Sequence, residues 1–226
     1  MLTMEDVFPP FRLRIRCGAI EQRVLRDDDI PELVDLVRGG VQAPGTPMPF
    51  LADWHEAPFA PGQPGAFPAV SLSWWWQQRA AFAPDAWHLA LTVRHDGVLV
   101  GMQDVHATDF PLTRTVETGS WLGRDHQGKG IGTLMRQMAI SFAFDELDAV
   151  ACESGYIVGN EASRAVSRKA GYVDNGQRTL VQQTRQGAVR AQEQRVIVTP
   201  DAVVRPGERV VVEGAEELRR FLSIER

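Results

Sequence analysis

The segment Gln127-Gly128-Lys129-Gly130-Ile131-Gly132, running directly into Thr133-Leu134-Met135-Arg136-Gln137-Met138-Ala139, holds the residue types and spacing best suited to chemistry. Glycines at alternate positions strip Cβ atoms from a turn that opens onto an amphipathic helix, so successive backbone N–H groups can converge on one point. Such unpaired donors, together with the positive end of the helix dipole, form a seat for phosphate or pyrophosphate. Two familiar phosphate loops fail on spacing. A P-loop needs Gly-Lys followed by Ser or Thr, and Lys129 is followed by Gly130. A dinucleotide fingerprint needs G-x-G-x-x-G after the first strand of a βαβ unit, whereas G-x-G-x-G lies deep in this chain. A plain glycine-rich loop before a helix is the alternative.

The pattern Q-x-x-G-x-G resembles the acyl-CoA pyrophosphate loop of the GCN5-related N-acetyltransferase (GNAT) family. Upstream, Glu117-Thr118-Gly119-Ser120-Trp121-Leu122 is similar to the family's fourth strand; downstream, Asn160-Glu161-Ala162-Ser163-Arg164 through Arg168-Lys169-Ala170-Gly171-Tyr172 resembles its N-x-x-S…K-x-G-F/Y signature. The three motifs in this order are most like the RimJ/RimL-type branch and span roughly residues 88 to 175. The resemblance implies an α/β (α+β) fold: a mixed, mostly antiparallel twisted sheet with helices on both faces, splayed between the fourth and fifth strands. It also implies an acyl-CoA cosubstrate whose pantetheine arm lies in the splay. Backbone groups of Trp121, Leu122 and Gly123, with Asn160 and Ser163, would hold that arm. Gln127, Gly128, Lys129, Gly130, Ile131, Gly132 and Thr133 would hold the pyrophosphate, with side-chain charge from Arg124 and Lys129.

Acyl transfer from a thioester to an amine needs a neutral amine, a stabilised oxyanion and a proton for the leaving thiolate. By the resemblance, the backbone N–H of Leu122 meets the oxyanion. Glu117, just before the expected splay, is the candidate base, and partial desolvation there would raise its pKa toward the working range. Its alternative role is a structural hydrogen-bond partner. The only tyrosines are Tyr156 and Tyr172, and Tyr172 sits in the core signature, so Ser163 is the candidate donor to the thiolate, with a helix cap as its alternative.

These residues need elements to position them. Leu13 to Val24 reads as a strand or strand pair. Asp29-Ile30-Pro31 starts a helix with the Asp29 carboxylate as cap, and Gly39-Gly40 ends it. A stretch rich in Pro and Gly follows from 43 to 70, then Ser71 to Phe82 with Trp74-Trp75-Trp76. Adjacent tryptophans on a helix point about 100° apart, so they do not all enter one core. His88 to Arg94 and Val98 to His106 form a hairpin about Asp96-Gly97. Val116 to Leu122 is a strand, Ile131 to Phe144 a helix, Ala149 to Val158 a strand, and Ala162 to Ala170 a short helix closed by Gly171. Thr179 to Gln183 and Arg195 to Val198 read as closing antiparallel strands, with a terminal helix at 216 to 222.

A chain of 226 residues with 44% hydrophobic and 23% charged side chains fits one globular domain, 1–226, in which 43–83 is a variable acceptor-side insert and 176–226 adds the last strands and helix. A net charge of -5 argues against a nucleic-acid surface. The sequence shows no basic start followed by an apolar core and no apolar run of membrane-spanning length, so the expectation is a cytoplasmic protein without membrane contact. Cys17 and Cys152 are too few for a disulfide framework or zinc site, and the histidines lack ligand spacing, so no metal is expected. Exposed aromatics and an open sheet edge point to a homodimer.

The resemblance implies that the acceptor is a primary amine of a small molecule or of a protein N-terminus or lysine. Phe50, Trp54, Trp74, Trp75 and Trp76 suggest flat apolar walls, with Asp53, Glu56, Asp104 and Asp109 available to a cation. Asp53, Trp54, Trp75, Arg79 and Glu117 are the candidate acceptor contacts. The loop is blind to the acyl group; acetyl-CoA is the first expectation, and succinyl-CoA, with Arg79 or Arg114 near its carboxylate, is another. A non-catalytic CoA-binding sensor or scaffold and a nucleotide-binding protein are the competing readings.

Overall fold

Alternation of apolar and polar residues sends Trp87, Leu89, Leu91 and Val93 of one long strand into the core. The computed structural model describes residues 1–43 and 45–224. In chain order the elements are α1 (Met4–Val7), β1 (Arg14–Cys17), β2 (Ile20–Val24), α2 (Ile30–Arg38), α3 (Ala69–Ala80), β3 (Ala86–His95), β4 (Val98–Thr108) and α4 (Phe110–Thr113). There follow β5 (Thr115–Leu122), α5 (Ile131–Glu146), β6 (Ala151–Ile157), α6 (Glu161–Lys169), β7 (Val173–Thr184), β8 (Gly187–Val198), β9 (Val211–Glu213) and α7 (Ala215–Phe221). Among the described residues no helix is long and apolar enough to cross a membrane.

The strands form one sheet in the order β7-β8-β6-β5-β4-β3-β2-β1-β9. Every pairing is antiparallel except β5 with β6. That parallel ladder covers only Thr115 with Ala151, Val116 with Cys152 and Glu117 with Glu153, although β5 continues to Leu122 and β6 to Ile157. The two strands part there, giving the expected splay. The N-terminal strand pair makes them the fifth and sixth strands of this chain.

Helix α5 buries Met135, Met138, Ala139, Ile140, Phe142 and Ala143 against one face of the sheet, where Leu218 of α7 joins the same cluster. On the other face Leu33 of α2 and Trp75 of α3 pack on Leu25, Leu99 and Met102. Helices therefore cover both faces, as the mixed pattern of elements implies.

Three expectations change. Asp29 precedes α2, but its side chain does not cap the helix. Its buried carboxylate instead accepts the Arg26 backbone N–H at 3.0 Å and pairs with Arg23 at 2.5 Å and Arg94 at 3.0 Å. Strands β7 and β8 are each 12 residues long and extend well beyond the apolar segments read from the sequence. Their outer halves are largely exposed, so no alternation marks them. The hairpin also anchors the irregular insert: Gln182 donates to Met48 at 3.0 Å and to Phe50 at 2.7 Å, and the Gln183 N–H donates to Leu51 at 2.8 Å. Third, Trp75 is only 9% exposed and belongs to the core, while Trp74 and Trp76 face outward. Trp75→Ala is expected to lower the unfolding free energy by about 3 kcal/mol, as for other buried aromatics. Urea denaturation measures it, and a loss below about 1 kcal/mol would mean that α3 does not depend on this anchor.

Candidate active site

The end of β5, the loop after it and the first turn of α5 form one continuous structure. Gly123 donates its N–H to Val100 at 2.9 Å and lies against Leu36, where a Cβ would come within 2.4 Å of Cδ1. The side chains of the next polar residues turn inward. Gln127 donates to the carbonyls of Leu122 at 2.9 Å and Val41 at 3.0 Å. Arg124 donates through its guanidinium to Gly39 at 2.8 Å and through its backbone N–H to Gly40 at 2.8 Å. Both fasten the segment after α2 to the strand end, so Arg124 does not extend its charge toward the loop as expected. Lys129 is exposed and has no ion-pair partner among the described residues.

Beyond these fasteners the backbone is open. Gly128 and Gly130 take left-handed φ values of 72° and 84°, with empty space where a Cβ would stand. Among the described residues, none of the backbone N–H groups of 128 to 132 has a hydrogen-bond partner; the helical pattern begins with Thr133, whose N–H reaches Gly130 at 3.1 Å. Ile131 anchors the turn by burying its side chain in the core. A Cβ on Gly132 would sit 3.5 Å from Val166 and 3.6 Å from Leu122, so α6 and β5 flank the loop on either side.

The loop leads into the gap between β5 and β6. Because Gly123 bonds to β4, antiparallel alternation turns the backbone groups of Leu122 and Ser120 toward the gap. The Leu122 carbonyl is taken by Gln127; its N–H points into the opening. Across the gap, Asn160 caps α6 by accepting the Ser163 N–H at 3.1 Å, and the Ser163 hydroxyl has no partner among the described residues. This cradle of free donors, next to a slot with unsatisfied strand edges, fits a pyrophosphate followed by an amide-bearing arm. It fits acyl-CoA better than a bare nucleotide, which would leave the slot unused.

On the sheet face opposite α5, register brings ionisable side chains into one row: His88 opposite His106, His106 opposite Glu117, and Glu117 opposite Glu153. Arg195 closes the row, donating to Glu117 and Glu153 at 2.8 Å each. Burial pushes the Glu117 carboxyl up, but the hydrogen bond and charge of Arg195, helped by His106 and Arg178, outweigh it and hold its pKa below the ordinary range. The expected rise is thus reversed. Burial, and then the neighbouring His88, lower the pKa of His106 against the pull of Glu117 and Asp104. His106 is therefore neutral at neutral pH, with its Nδ1 buried and unpartnered among the described residues. His88 stacks on it at 5.1 Å and shares a hydrogen bond with Asp104 at 2.9 Å. Neither histidine nor Arg195 stands out in the sequence, because only strand register and a contact across 78 residues bring them beside Glu117.

The expected acceptor contacts separate. Glu117 and Trp121 share this face, and the Trp54 ring lies 5.6 Å from Trp121. Asp53 instead accepts the Arg185 N–H at 2.7 Å and ties the insert to the β7–β8 hairpin. Arg79 is bound to Asp27 at 3.0 Å and to the Leu25 carbonyl at 3.1 Å, so it is engaged at the end of β2. The Arg114 guanidinium lies over the Phe110 ring. Between the end of α2 and the insert is a cavity of ≈ 520 Å³ lined by Val37, Val41, His55, Phe59 and Phe67 among others.

A model of the acetyltransferase (GNAT) domain family matches residues 23–173. The chain belongs to this family. It is 38% identical over 82 residues to the Bacillus subtilis (strain 168) protein named "Putative ribosomal N-acetyltransferase YdaF". That alignment covers 36% of this chain and 44% of YdaF, so the chain spans less than half the length of this curated relative. Among solved structures, Mycobacterium smegmatis RimJ in complex with CoA-disulfide superposes with a TM-score of 0.63 at 19% identity, over 92% of each chain. The microcin C7 self-immunity acetyltransferase MccE, in complex with acetyl-CoA and AMP, gives 0.56 at 18% identity, over 81% of this chain and 93% of its own. Both share the fold.

Arg195 sets the ionisation of Glu117, and the sign of the effect is testable. Arg195→Met removes the main counterweight to burial and leaves only His106 and Arg178 against it, so the Glu117 carboxyl is expected to titrate higher than in the wild type, followed by carboxyl-carbon NMR. In the wild type the stabilisation from this pair is present above the ordinary carboxylate range and is lost as pH falls through the depressed value. An unmoved Glu117 in the variant would contradict the assignment.

Proposed function

We propose that the protein is an acyl-CoA-dependent N-acyltransferase that passes acetyl from acetyl-CoA to a primary amine by direct attack in a ternary complex. The observation that carries this reading is the run of unpartnered N–H groups at 128 to 132, opening onto the gap between β5 and β6. Acetyl-CoA supplies an acyl group already activated as a thioester. The loop backbone seats the pyrophosphate, Lys129 adds a cation beside it, and the Ser120 backbone, Asn160 and Ser163 hold the arm. The Leu122 N–H meets the developing oxyanion.

On the opposite face, ionised Glu117 attracts the acceptor ammonium and takes its proton, with neutral His106 beside it in the row. Trp121 and Trp54 give the acceptor an apolar wall. YdaF is named as a ribosomal N-acetyltransferase, which supports a protein amine as acceptor, with a small-molecule amine the other case. Outward-facing Trp74, Trp76 and Phe59 support a homodimer, and a cytoplasmic setting goes with such an acceptor.

Glu117→Gln is expected to keep the thermal stabilisation given by acetyl-CoA while CoA-thiol release with amines falls about 100-fold or more, the usual scale for losing a general base. Wild-type protein that is stabilised by acetyl-CoA yet releases no thiol across a broad amine and peptide panel would identify a non-catalytic CoA-binding protein instead.

A further inference from the structure

Arg136, the sixth residue of α5, is 3% exposed, and among the described residues no carboxylate lies within ion-pair distance of it. A buried guanidinium without a counter-ion is among the costliest arrangements a fold retains. Its hydrogen bonds give its place a meaning. It donates to Ser120 Oγ at 2.7 Å and to Ser154 Oγ at 3.0 Å, and its Nε is buried and unpartnered. Ser120 stands on β5 and Ser154 on β6, both beyond the last backbone pair of Glu117 with Glu153, so the cation lies directly under the opening.

The two hydroxyls are not equivalent. Ser154 spends its hydrogen on the Thr118 carbonyl at 2.6 Å. Ser120 accepts from Arg136 and has no acceptor of its own among the described residues, so its hydrogen is unspent. A hydroxyl that accepts from a guanidinium is a stronger donor in turn. Ser120 is only partly buried, and its backbone groups face the gap.

We propose that the Ser120 hydroxyl, polarised by Arg136, holds the sulfur of CoA and stabilises it as the leaving thiolate. This rests on the reading that the gap takes acyl-CoA. The acceptor ammonium first loses one proton through Glu117 to solvent; the neutral amine nitrogen then forms the C–N bond, the C–S bond breaks with its electron pair staying on sulfur, and the second nitrogen proton passes to Glu117. Ser120 keeps its own proton and donates a hydrogen bond to the thiolate, which takes a proton from solvent on release. Arg136 acts through Ser120 and is a positioning residue that supplies the missing counter-charge. Ser163 then serves the arm, and no tyrosine is needed.

The test is the ionisation of the bound thiol, followed by ultraviolet thiolate absorbance of CoA on the wild-type protein, with calorimetry of CoA and desulfo-CoA across the same pH range. The bound thiol is expected to ionise at least about one pH unit below free CoA, so CoA binding tightens about tenfold as pH rises through that window. Desulfo-CoA, which has no thiol, should show no such rise. Ser120→Ala should abolish the tightening and leave desulfo-CoA affinity unchanged; this small, partly buried side chain avoids the folding risk of changing Arg136. A bound thiol that titrates at its free value, or a Ser120→Ala protein that keeps the tightening, overturns the proposal while leaving acyl-CoA binding intact. Binding of neither CoA nor desulfo-CoA overturns the proposed function as well.

Discussion

Backbone pairing between β5 and β6 ends at Glu117 and Glu153, and the site is organised around the groups this leaves unpaired. Buried backbone donors and acceptors must find partners, so the opening needs substitutes. On the α5 face, side chains replace the ladder: Arg136 bridges Ser120 and Ser154, Ser154 reaches the Thr118 carbonyl, and the Thr118 hydroxyl meets Tyr172 at 2.7 Å. On the other face Arg195 clamps the two glutamates at the point of divergence. The gap is held from both sides without being closed, and the Leu122 N–H stays turned toward it.

The same opening explains the loop beyond β5. A strand edge without a neighbour needs another anchor, and Gln127 and Arg124 supply it by gripping the carbonyls at 39 to 41. With those side chains turned inward, the glycine backbone alone faces outward, and the left-handed φ at Gly128 and Gly130 keeps its N–H groups free. The loop of free donors at the helix head and the slot between the strands are thus parts of one construction, with a charged row on the adjoining sheet face.

The loop, the strand before it and the helix after the gap were legible in the sequence because their chemistry is local: glycines, a strand and a cap within a few positions of one another. Long-range effects were not. The depressed pKa of Glu117 depends on Arg195, 78 residues away in sequence. The histidine row was hidden by register. Counted back from the Asp96-Gly97 turn, His88 would face Val105, but a bulge leaves Val100 unpaired and shifts the register to place His88 opposite His106. Trp75 and Arg79 read as ligand contacts because aromatic and cationic residues suit a pocket; the helix rotation that sends one to the core and the other to Asp27 is set by packing. The long polar hairpin carries no alternation because little of it is buried.

Backbone amide hydrogen exchange, compared without ligand and with acetyl-CoA or ATP, tests most directly whether the free donors and the strand gap form a single acyl-CoA site. In the account given, residues 128 to 132 exchange fast in the free protein, and acetyl-CoA protects them together with Leu122, whereas ATP gives no protection at Leu122. Loop amides already protected without ligand, or equal protection by ATP and acetyl-CoA with Leu122 unchanged, would contradict it.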